Sequence, residues 1–290
     1  MLNSSTPPLL HSRRLGYPMR TAALLALVAA VTAAPAADPG WVAPTRAVHA
    51  KFTGTPGTLA LFGDSITVSQ AFWSPLQGDP RAMSAADAKA LATVRGYMKA
   101  DSWNKWRGPE YGSQGSMTIR WADDNVDRWL KKMNPEAAVL MFGSNDLAQL
   151  DVREYEAKTK AVVERCLKNG TVVILTTIPP RSGMLEKSKA FADAQRRIAA
   201  GYGLPLVDYQ AEILRRRPAD WDGSLPQFKE DAKDVYQVPT LISGDGVHPS
   251  NPGKHADYTE ASLDRNGFQL RNVLTMRVYA DVVRRVLARK

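Results

Sequence analysis

One serine in the sequence is placed to act as a nucleophile. The Gly-Asp-Ser motif at residues 63–65 directly follows a short apolar run, Thr58 to Phe62, which the pattern predicts to be a buried strand. Ligands of open parallel sheets bind at the carboxyl ends of the strands, so the Ser65 hydroxyl is well placed to attack a carbonyl carbon. Asp64 and Ser65 could instead simply cap a following helix, and this motif alone favours neither interpretation.

A second motif offers a general base. In the Asp-Gly-Val-His-Pro motif at residues 245–249, Asp245 precedes His248 by three positions. This spacing lets the carboxylate fold back onto Nδ1 of the ring, where it would fix the tautomer and stabilise the imidazolium formed when Nε2 accepts a serine proton. A solvated surface histidine is the alternative.

Two further motifs could stabilise negative charge on an oxygen atom. The Gly-Ser-Asn-Asp motif at 143–146 follows another apolar run, so Asn145 could direct its amide N–H groups into the same crevice; an Asx turn that caps the next helix is the alternative. The glycine-rich turn at 112–116 could expose the backbone N–H of Gly115 as another donor. This turn lacks the Gly-Lys-Ser/Thr of a phosphate-binding loop.

These four motifs resemble, in order, the four sequence blocks of the SGNH (GDSL-type) hydrolases. The resemblance spans about residues 58 to 252. It implies a flavodoxin-like three-layer α/β/α sandwich with a parallel sheet of about five strands. It also implies acyl transfer through a covalent intermediate, without a metal or an organic cofactor.

Carried over block by block, the resemblance implies Ser65 as the nucleophile and His248 as the base, held by Asp245. The oxyanion hole would consist of the N–H groups of Ser65 and Gly115 and the amide of Asn145. The glycine block of the family usually continues Gly-Asp-Thr, whereas Gly115 is followed by Ser and Met. Gly112 is therefore the alternative to Gly115.

Strands and helices alternate along the sequence that must position these motifs. Apolar runs without alternating polarity predict buried parallel strands at 58–62, 137–142, 171–177 and 204–207. Amphipathic patterns predict helices at 85–99, 119–133, 152–168, 188–200 and 270–287. A further strand, expected ahead of the glycine block, is poorly marked at 106–110. The alternation predicts one α/β domain.

Two polar regions are predicted to lie at the surface. The segment from Asp220 to Leu241 is polar and contains two prolines, and it could shape the entrance to the site. In the last helix the apolar residues share one face, which predicts that Arg271, Arg277, Arg284 and Arg285 lie elsewhere, largely on the solvent side.

Residues 1–36 have the composition of a secretory signal. Three arginines without an acidic residue precede the apolar run Thr21 to Val31, and the small-residue sequence Ala34-Pro35-Ala36 follows. The apolar run is shorter than the roughly 20 residues that a membrane-spanning helix needs. We therefore expect export to the periplasm or beyond, with Met1 and Met19 as alternative starts, a linker or lead-in at 37–57 and a hydrolase domain at 58–290.

Composition excludes several classes of protein. With 44% hydrophobic and 23% charged residues, the chain should fold, and its single cysteine, Cys166, cannot form an intramolecular disulfide. The formal charge is +9; without the three arginines of the signal it would be +6, from 35 basic and 29 acidic residues. The basic residues do not cluster with aromatic ones, so a nucleic acid is not expected as a partner.

The expected function is hydrolysis of carboxylic esters, with short-chain acetyl esters on a carbohydrate as the preferred substrate by analogy with the family. The partner would be a small-molecule or polysaccharide ester. Tryptophans near the motifs could stack on sugar rings or pack in the core; these are Trp73, Trp103, Trp106 and Trp121. A lipase or lysophospholipase, an acyltransferase and a non-catalytic glycan-binding protein are the alternatives. The sequence does not indicate an oligomeric state.

Overall fold

Four parallel strands form the centre of the protein. The computed structural model describes residues 38–229, 234–253 and 256–288, all within one compact unit, Asp38–Lys290. The strands are β1 (Leu59–Gly63), β2 (Ala137–Met141), β3 (Val172–Thr176) and β4 (Leu206–Val207). They are adjacent in chain order, and each is parallel to the next. The four predicted strands are confirmed, with small shifts at their ends.

The residues of β1, β2 and β3 are all buried. The uniformly apolar runs in the sequence follow from this burial, since a parallel sheet covered on both faces leaves no polar side. The covering helices are α1 (Val42–His49), α2 (Ser65–Val68), α3 (Ala85–Tyr97), α4 (Ala100–Asn104), α5 (Ile119–Met133), α6 (Val152–Lys168), α7 (Leu185–Tyr202), α8 (Tyr209–Arg216), α9 (Pro226–Lys229), α10 (Glu260–Leu263) and α11 (Gly267–Val282).

The helices form two layers around the sheet. Helices α5, α6 and α7 pack side by side on one face, while α3, α8 and α11 lie together with α1 on the other. The last helix, α11, continues into a π-helical turn, Val283–Leu287. This is the α/β/α sandwich that the sequence predicted, and the long predicted helices are confirmed, two of them with unchanged bounds.

The edge of the sheet beside β1 carries a single bridge in place of another strand. Gly63 pairs in parallel with Ser113, and its N–H donates to the carbonyl oxygen of Gly112 at 3.0 Å. The residues before this bridge form a 3-10 turn, Pro109–Tyr111, and proline has no N–H to give to a ladder. The weakly marked strand at 106–110 is therefore absent from the described part of the chain, where the sheet has four strands and, at this edge, the bridge.

The lead-in at 37–57 is more ordered than the expected linker, since it contains α1. Glu136, 1% exposed at the start of β2, accepts hydrogen bonds from the Gly57 N–H at 2.6 Å and the Tyr97 hydroxyl at 2.9 Å. The Nε2 atom of His49 lies 2.9 Å from the same carboxylate. One buried carboxylate thus joins the lead-in to the sheet.

The predicted signal at 1–36, with its cleavage site and alternative start, lies outside the described residues and stays a prediction. Among the residues that are described, no helix combines the length and the apolar character needed to cross a bilayer.

The prediction for the arginines of α11 was wrong at Arg271. Its side chain is 0% exposed, and its guanidinium lies 3.7 Å from the centre of the Phe72 ring. Arg277 is half-buried and donates to both carboxylate oxygens of Asp87 on α3, at 2.6 and 2.8 Å. The helix is enclosed by α3 and α8 as well as by the sheet, so the side opposite its apolar stripe is also covered.

Candidate active site

Ser65 is the first residue of α2, a helix of 4 residues at the carboxyl end of β1. Asp64 is the N-cap of this helix, and its Oδ1 accepts a hydrogen bond from the Ile66 N–H at 3.0 Å. The two interpretations of the Gly-Asp-Ser motif are therefore compatible, because Asp64 caps the helix and leaves the Ser65 hydroxyl directed to His248.

Two arginines bind the carbonyl end of α2. A helix this short has few internal hydrogen bonds and is not stable alone. Arg107 donates to the carbonyl oxygens of Thr67, Val68 and Ser69 at 3.1 to 3.3 Å and to that of Phe72 at 2.7 Å. Arg271 donates to the carbonyl oxygen of Ile66 at 2.8 Å and to the Thr67 hydroxyl at 3.0 Å.

Both guanidinium groups remain charged in this position. Burial lowers the pKa of Arg107 and that of Arg271 to about 10, which is still well above neutral pH. Positive charge at the carbonyl end of a helix is favourable, so the two arginines act as a cap for the turn that carries Ser65.

A continuous hydrogen-bond chain joins the three predicted residues of the first and last motifs. The Ser65 Oγ lies 2.9 Å from His248 Nε2, and His248 Nδ1 lies 2.7 Å from Asp245 Oδ2. The other carboxylate oxygen of Asp245 accepts hydrogen bonds from the Ser243 hydroxyl and from the N–H groups of Val247 and His248, at 2.6 to 2.9 Å. The carboxylate is therefore fixed in orientation.

The pKa values of Asp245 and His248 suit the transfer of a proton from Ser65. Burial raises the pKa of Asp245, but the hydrogen bonds from His248, Ser243 and the backbone outweigh it and hold the pKa well below its ordinary value. The hydrogen bond with Asp245 raises the pKa of His248 above its ordinary 6.5, while burial opposes this shift. A neutral imidazole here can accept a proton from Ser65 and be stabilised by the adjacent charge.

The Asn-Asp pair at 145–146 holds the segment that contains Gly115. Asn145 Nδ2 donates to the carbonyl oxygen of Met117 at 3.0 Å, and Asp146 Oδ1 accepts from the N–H of Ile119, the first residue of α5, at 2.8 Å. A Cβ atom added to Gly115 would lie 3.9 Å from the Cβ of Ser65. The structure therefore places Gly115 beside the serine.

Gly112 occupies a different environment. Its φ is +87°, and an added Cβ would lie 2.3 Å from a ring carbon of Phe62 and 3.0 Å from Trp129. Its N–H points back to the carbonyl oxygen of Pro109. Gly112 thus packs against the core behind β1, and Gly115 is the glycine that adjoins the serine.

Two buried carboxyl groups lie beneath the site. Asp64 and Asp146 are both 0% exposed, and burial raises their pKa values to about 6 and about 7; the negative charge of Asp64 adds to the shift of Asp146. Each has one oxygen that pairs with no described donor. At neutral pH this pair therefore holds less negative charge than two exposed aspartates would.

A cavity of about 260 Å³ opens onto Ser65 and His248. The polar segment 220–241 contributes to its wall, and the ring of Tyr236 meets the His248 ring edge-on, 5.9 Å between centres. The lining residues besides these are Ser69, Ala71, Asp234, Gln237, Asn251 and Phe268.

The tryptophans singled out in the sequence are absent from the described lining of this cavity. Trp73 and Trp103 are buried and stack on each other, 5.5 Å between ring centres. Trp121 packs on Trp129, 4.6 Å between centres. For Trp73 and Trp103, core packing is the correct interpretation.

Sequence reasoning missed three arginines. Besides Arg107 and Arg271, Arg181 donates to the carbonyl oxygen of Ser144 at 2.5 Å, and its charge partly lowers the pKa of His248. Arg181 follows β3 at the same sheet edge as the other motifs, and this position could have identified it from the sequence.

The cysteine, Cys166, does not compete with Ser65 as a nucleophile. Burial raises the pKa of its thiol to about 12.

The model of the GDSL-like lipase/acylhydrolase family matches residues 61–256, more than half of the chain. Solved structures that are similar to this chain at low identity include three esterases or acylhydrolases. A lipase/acylhydrolase from Enterococcus faecalis is 16% identical over 77% of this chain and 95% of that one, with a TM-score of 0.46. An acetyl xylan esterase is 17% identical over 78% and 98%, with a TM-score of 0.48. The esterase EstA from Pseudoalteromonas sp. is 16% identical over 79% and 97%, with a TM-score of 0.45. No curated protein matches the chain significantly.

Alanine substitutions should separate the two glycines. Gly112→Ala is expected to lower the free energy of unfolding by about 2 kcal/mol or more, because it combines a left-handed backbone with a clash against Phe62. Gly115→Ala has room and should keep its stability, while the added methyl group beside Ser65 should lower kcat/KM about tenfold. Urea unfolding and p-nitrophenyl acetate kinetics measure both effects. Equal loss of stability in the two variants would contradict this assignment.

Arg107→Ala should loosen the serine turn. Loss of its charged hydrogen bonds to the carbonyl groups after Ser65 is expected to cost about 2 kcal/mol or more in the free energy of unfolding and to lower kcat more than it raises KM. Arg128→Ala is the control, since that side chain is 53% exposed on α5 and should cost under about 0.5 kcal/mol. Wild-type stability and kcat in Arg107→Ala would show that the turn does not need this cap.

Proposed function

The chain belongs to the GDSL-like lipase/acylhydrolase family, and we propose that it is a serine esterase that removes short acyl groups, above all acetyl, from a carbohydrate. Family membership makes the protein an ester-hydrolysing enzyme. The observation that carries the finer proposal is the hydrogen-bond chain from Ser65 through His248 to Asp245, at 2.9 and 2.7 Å.

In the proposed mechanism, Ser65 Oγ attacks the ester carbonyl carbon while His248 Nε2 accepts the hydroxyl proton. The tetrahedral intermediate collapses as His248 returns that proton to the departing alcohol oxygen, which leaves an acyl-enzyme on Ser65. Water then attacks the acyl carbon, with His248 again accepting a proton. The bond between the acyl carbon and Ser65 Oγ breaks as His248 returns that proton to Oγ, and the carboxylic acid is released. Asp245 holds the imidazole in orientation and stabilises its charge at each step.

The negative oxygen of the intermediate needs hydrogen-bond donors. We assign this role to the backbone N–H groups of Ser65 and Gly115 and to the side-chain amide of Asn145. An amide NH₂ has two donors, so Asn145 can hold the Met117 carbonyl with one and direct the other to the oxyanion. Pre-positioned donors of this kind supply a large share of the rate enhancement in acyl transfer.

The size of the cavity supports a short acyl group. Its volume of about 260 Å³ is below the roughly 300–1,000 Å³ of pockets that enclose larger ligands. Its wall combines apolar Ala71 and Phe268 with the polar side chains of Asp234, Gln237 and Asn251. A long acyl chain would need a continuous apolar channel. The mixed lining instead suits a sugar as the leaving group, because a sugar is rich in hydroxyl groups.

We also propose that the enzyme acts outside the cytoplasm, since the N-terminal composition is that of a secretory signal. An exported enzyme can reach the polymeric carbohydrates of the cell envelope and of the surroundings.

The proposed function predicts a chain-length preference that depends on Ser65. The wild-type protein should hydrolyse p-nitrophenyl acetate with a kcat/KM about tenfold or more above that for the octanoate, because the mixed polar lining of the cavity offers a longer chain no continuous apolar channel. Ser65→Ala should remove this activity. Asn145→Ala should lower kcat about a hundredfold while the protein stays folded by circular dichroism.

Other outcomes identify the alternatives. Equal inertness of the wild type and Ser65→Ala would favour a glycan-binding protein. A preference for octanoate or phospholipid would favour a lipase or lysophospholipase, and transfer of the acetyl group to an added sugar would favour an acyltransferase. A panel of acetylated xylan, pectin and peptidoglycan, with Ser65→Ala as the control, then defines the substrate.

The pH dependence should follow His248. The base must be neutral, and its pKa is raised above 6.5, so kcat/KM should fall as the pH decreases through that raised value. Asp245→Asn removes the charge that raises the pKa. The acidic limb of the profile should then move to lower pH, and kcat should drop by about 10³–10⁴, since the imidazolium loses its partner. An unmoved acidic limb in Asp245→Asn would show that a group other than His248 controls it.

A further inference from the structure

A second, larger cavity shares a wall with the cavity at Ser65. Its volume of about 670 Å³ lies within the usual range for ligand pockets, roughly 300–1,000 Å³. Asn251 lines the smaller cavity, and the next two residues, Pro252 and Gly253, line the larger one. Three consecutive residues therefore separate the two spaces.

The wall between the cavities is braced from both sides. Asn266, 1% exposed, donates from Nδ2 to Asn251 Oδ1 at 3.2 Å and to the Pro252 carbonyl oxygen at 3.1 Å. Gln237 donates to the Asn251 carbonyl oxygen and accepts from the Gly253 N–H, both at 3.3 Å. The position of the wall between the two cavities is thus fixed by hydrogen bonds.

Two exposed arginines line the larger cavity. No ion pair joins Arg81 or Arg265 to a carboxylate of the described chain, whereas nearby Arg216 and Arg277 are both paired with acidic residues. The backbone of Arg81 is held by hydrogen bonds to Ala256 and Tyr258. The cavity therefore presents two guanidinium groups that form no ion pair with a carboxylate among the described residues.

The rest of the lining limits the kind of anion that would fit. Asp257 lies in the same cavity, with its Oδ1 bonded to the Thr259 N–H at 3.0 Å. This carboxylate would repel a doubly charged phosphate more than a ligand with a single charge. The hydroxyl groups of Thr259 and Ser262 and the carboxylate of Asp257 can bind ligand hydroxyls, as sugar-binding sites require.

We propose that the larger cavity is a subsite for a uronic acid residue, whose carboxylate is bound by Arg81 and Arg265 while an acetyl group on the same polysaccharide reaches Ser65. Guanidinium groups form paired, charge-assisted hydrogen bonds with carboxylates. The inference rests on the proposed function and narrows its substrate to an acetylated acidic polysaccharide.

Binding to an unreactive protein tests the subsite without catalysis. Ser65→Ala is titrated by calorimetry with trigalacturonate and with xylotriose, at low salt. Trigalacturonate should bind about tenfold or more tightly, and adding Arg81→Ala and Arg265→Ala should remove that preference. The matched control adds Arg128→Ala and Arg197→Ala, two exposed arginines outside the cavity, and should retain it. Equal binding of the two sugars, no binding of trigalacturonate, or a preference that survives in Arg81→Ala/Arg265→Ala would overturn the proposal.

Kinetics tests the subsite in the active enzyme. The ratio of kcat/KM for acetylated polygalacturonate to that for acetylated xylan should fall about tenfold or more in Arg81→Ala/Arg265→Ala, through KM, and stay unchanged in the control pair. An unchanged ratio in both would overturn the subsite. Failure of the wild type on p-nitrophenyl acetate would instead contradict the proposed esterase function, and the titration would then decide the subsite alone.

Discussion

The geometry of the site depends on how a helix of 4 residues is held in place. A single helical turn leaves most of its backbone groups without internal partners, so α2 cannot by itself fix the direction of the Ser65 hydroxyl. Arg107 and Arg271 provide the missing donors from segments that are distant in sequence, and Asp64 provides the acceptor at the other end. The orientation of the serine is therefore a tertiary property, and it depends on the docking of α11. That docking in turn includes the pair between Arg277 and Asp87 on α3.

Asp64, the N-cap of α2, also acts on the pKa of His248. The first influence on the pKa of His248 is the hydrogen bond with Asp245; beyond it, the charge of Asp64 raises the pKa and that of Arg181 lowers it. Burial is the second influence and lowers the pKa, while the two smaller charge effects oppose each other, so the net rise in the pKa of His248 comes mainly from Asp245. Burial raises the pKa of Asp64, and the hydrogen bond from the Ile66 N–H and then the charge of Arg271 partly offset this shift.

Hydrophobic patterns predicted the strands and long helices because burial of whole faces leaves a periodic record in the sequence. The motifs could be placed together because parallel strands bring their carboxyl ends to one edge. The same reasoning failed for Arg271, since an apolar stripe shows which face of α11 meets the sheet but not which carbonyl groups across the domain need a donor. It also left Gly112 and Gly115 undecided, because the difference between them lies in φ and in the contact with Phe62.

The loop that carries His248 leads into the wall between the two cavities. After the histidine the chain continues directly into Asn251, Pro252 and Gly253, which form the wall between the two cavities. Ser250 fixes this connection, since its hydroxyl bonds to the Thr240 carbonyl oxygen and accepts the Gly267 N–H at 3.1 Å. A substitution in the wall would therefore move the base as well as the distance between the cavities. Arg81 and Arg265 line the cavity on the far side of the wall, so the proposed preference for acidic substrates can be changed there without disturbing the hydrogen-bond chain from Ser65 to Asp245.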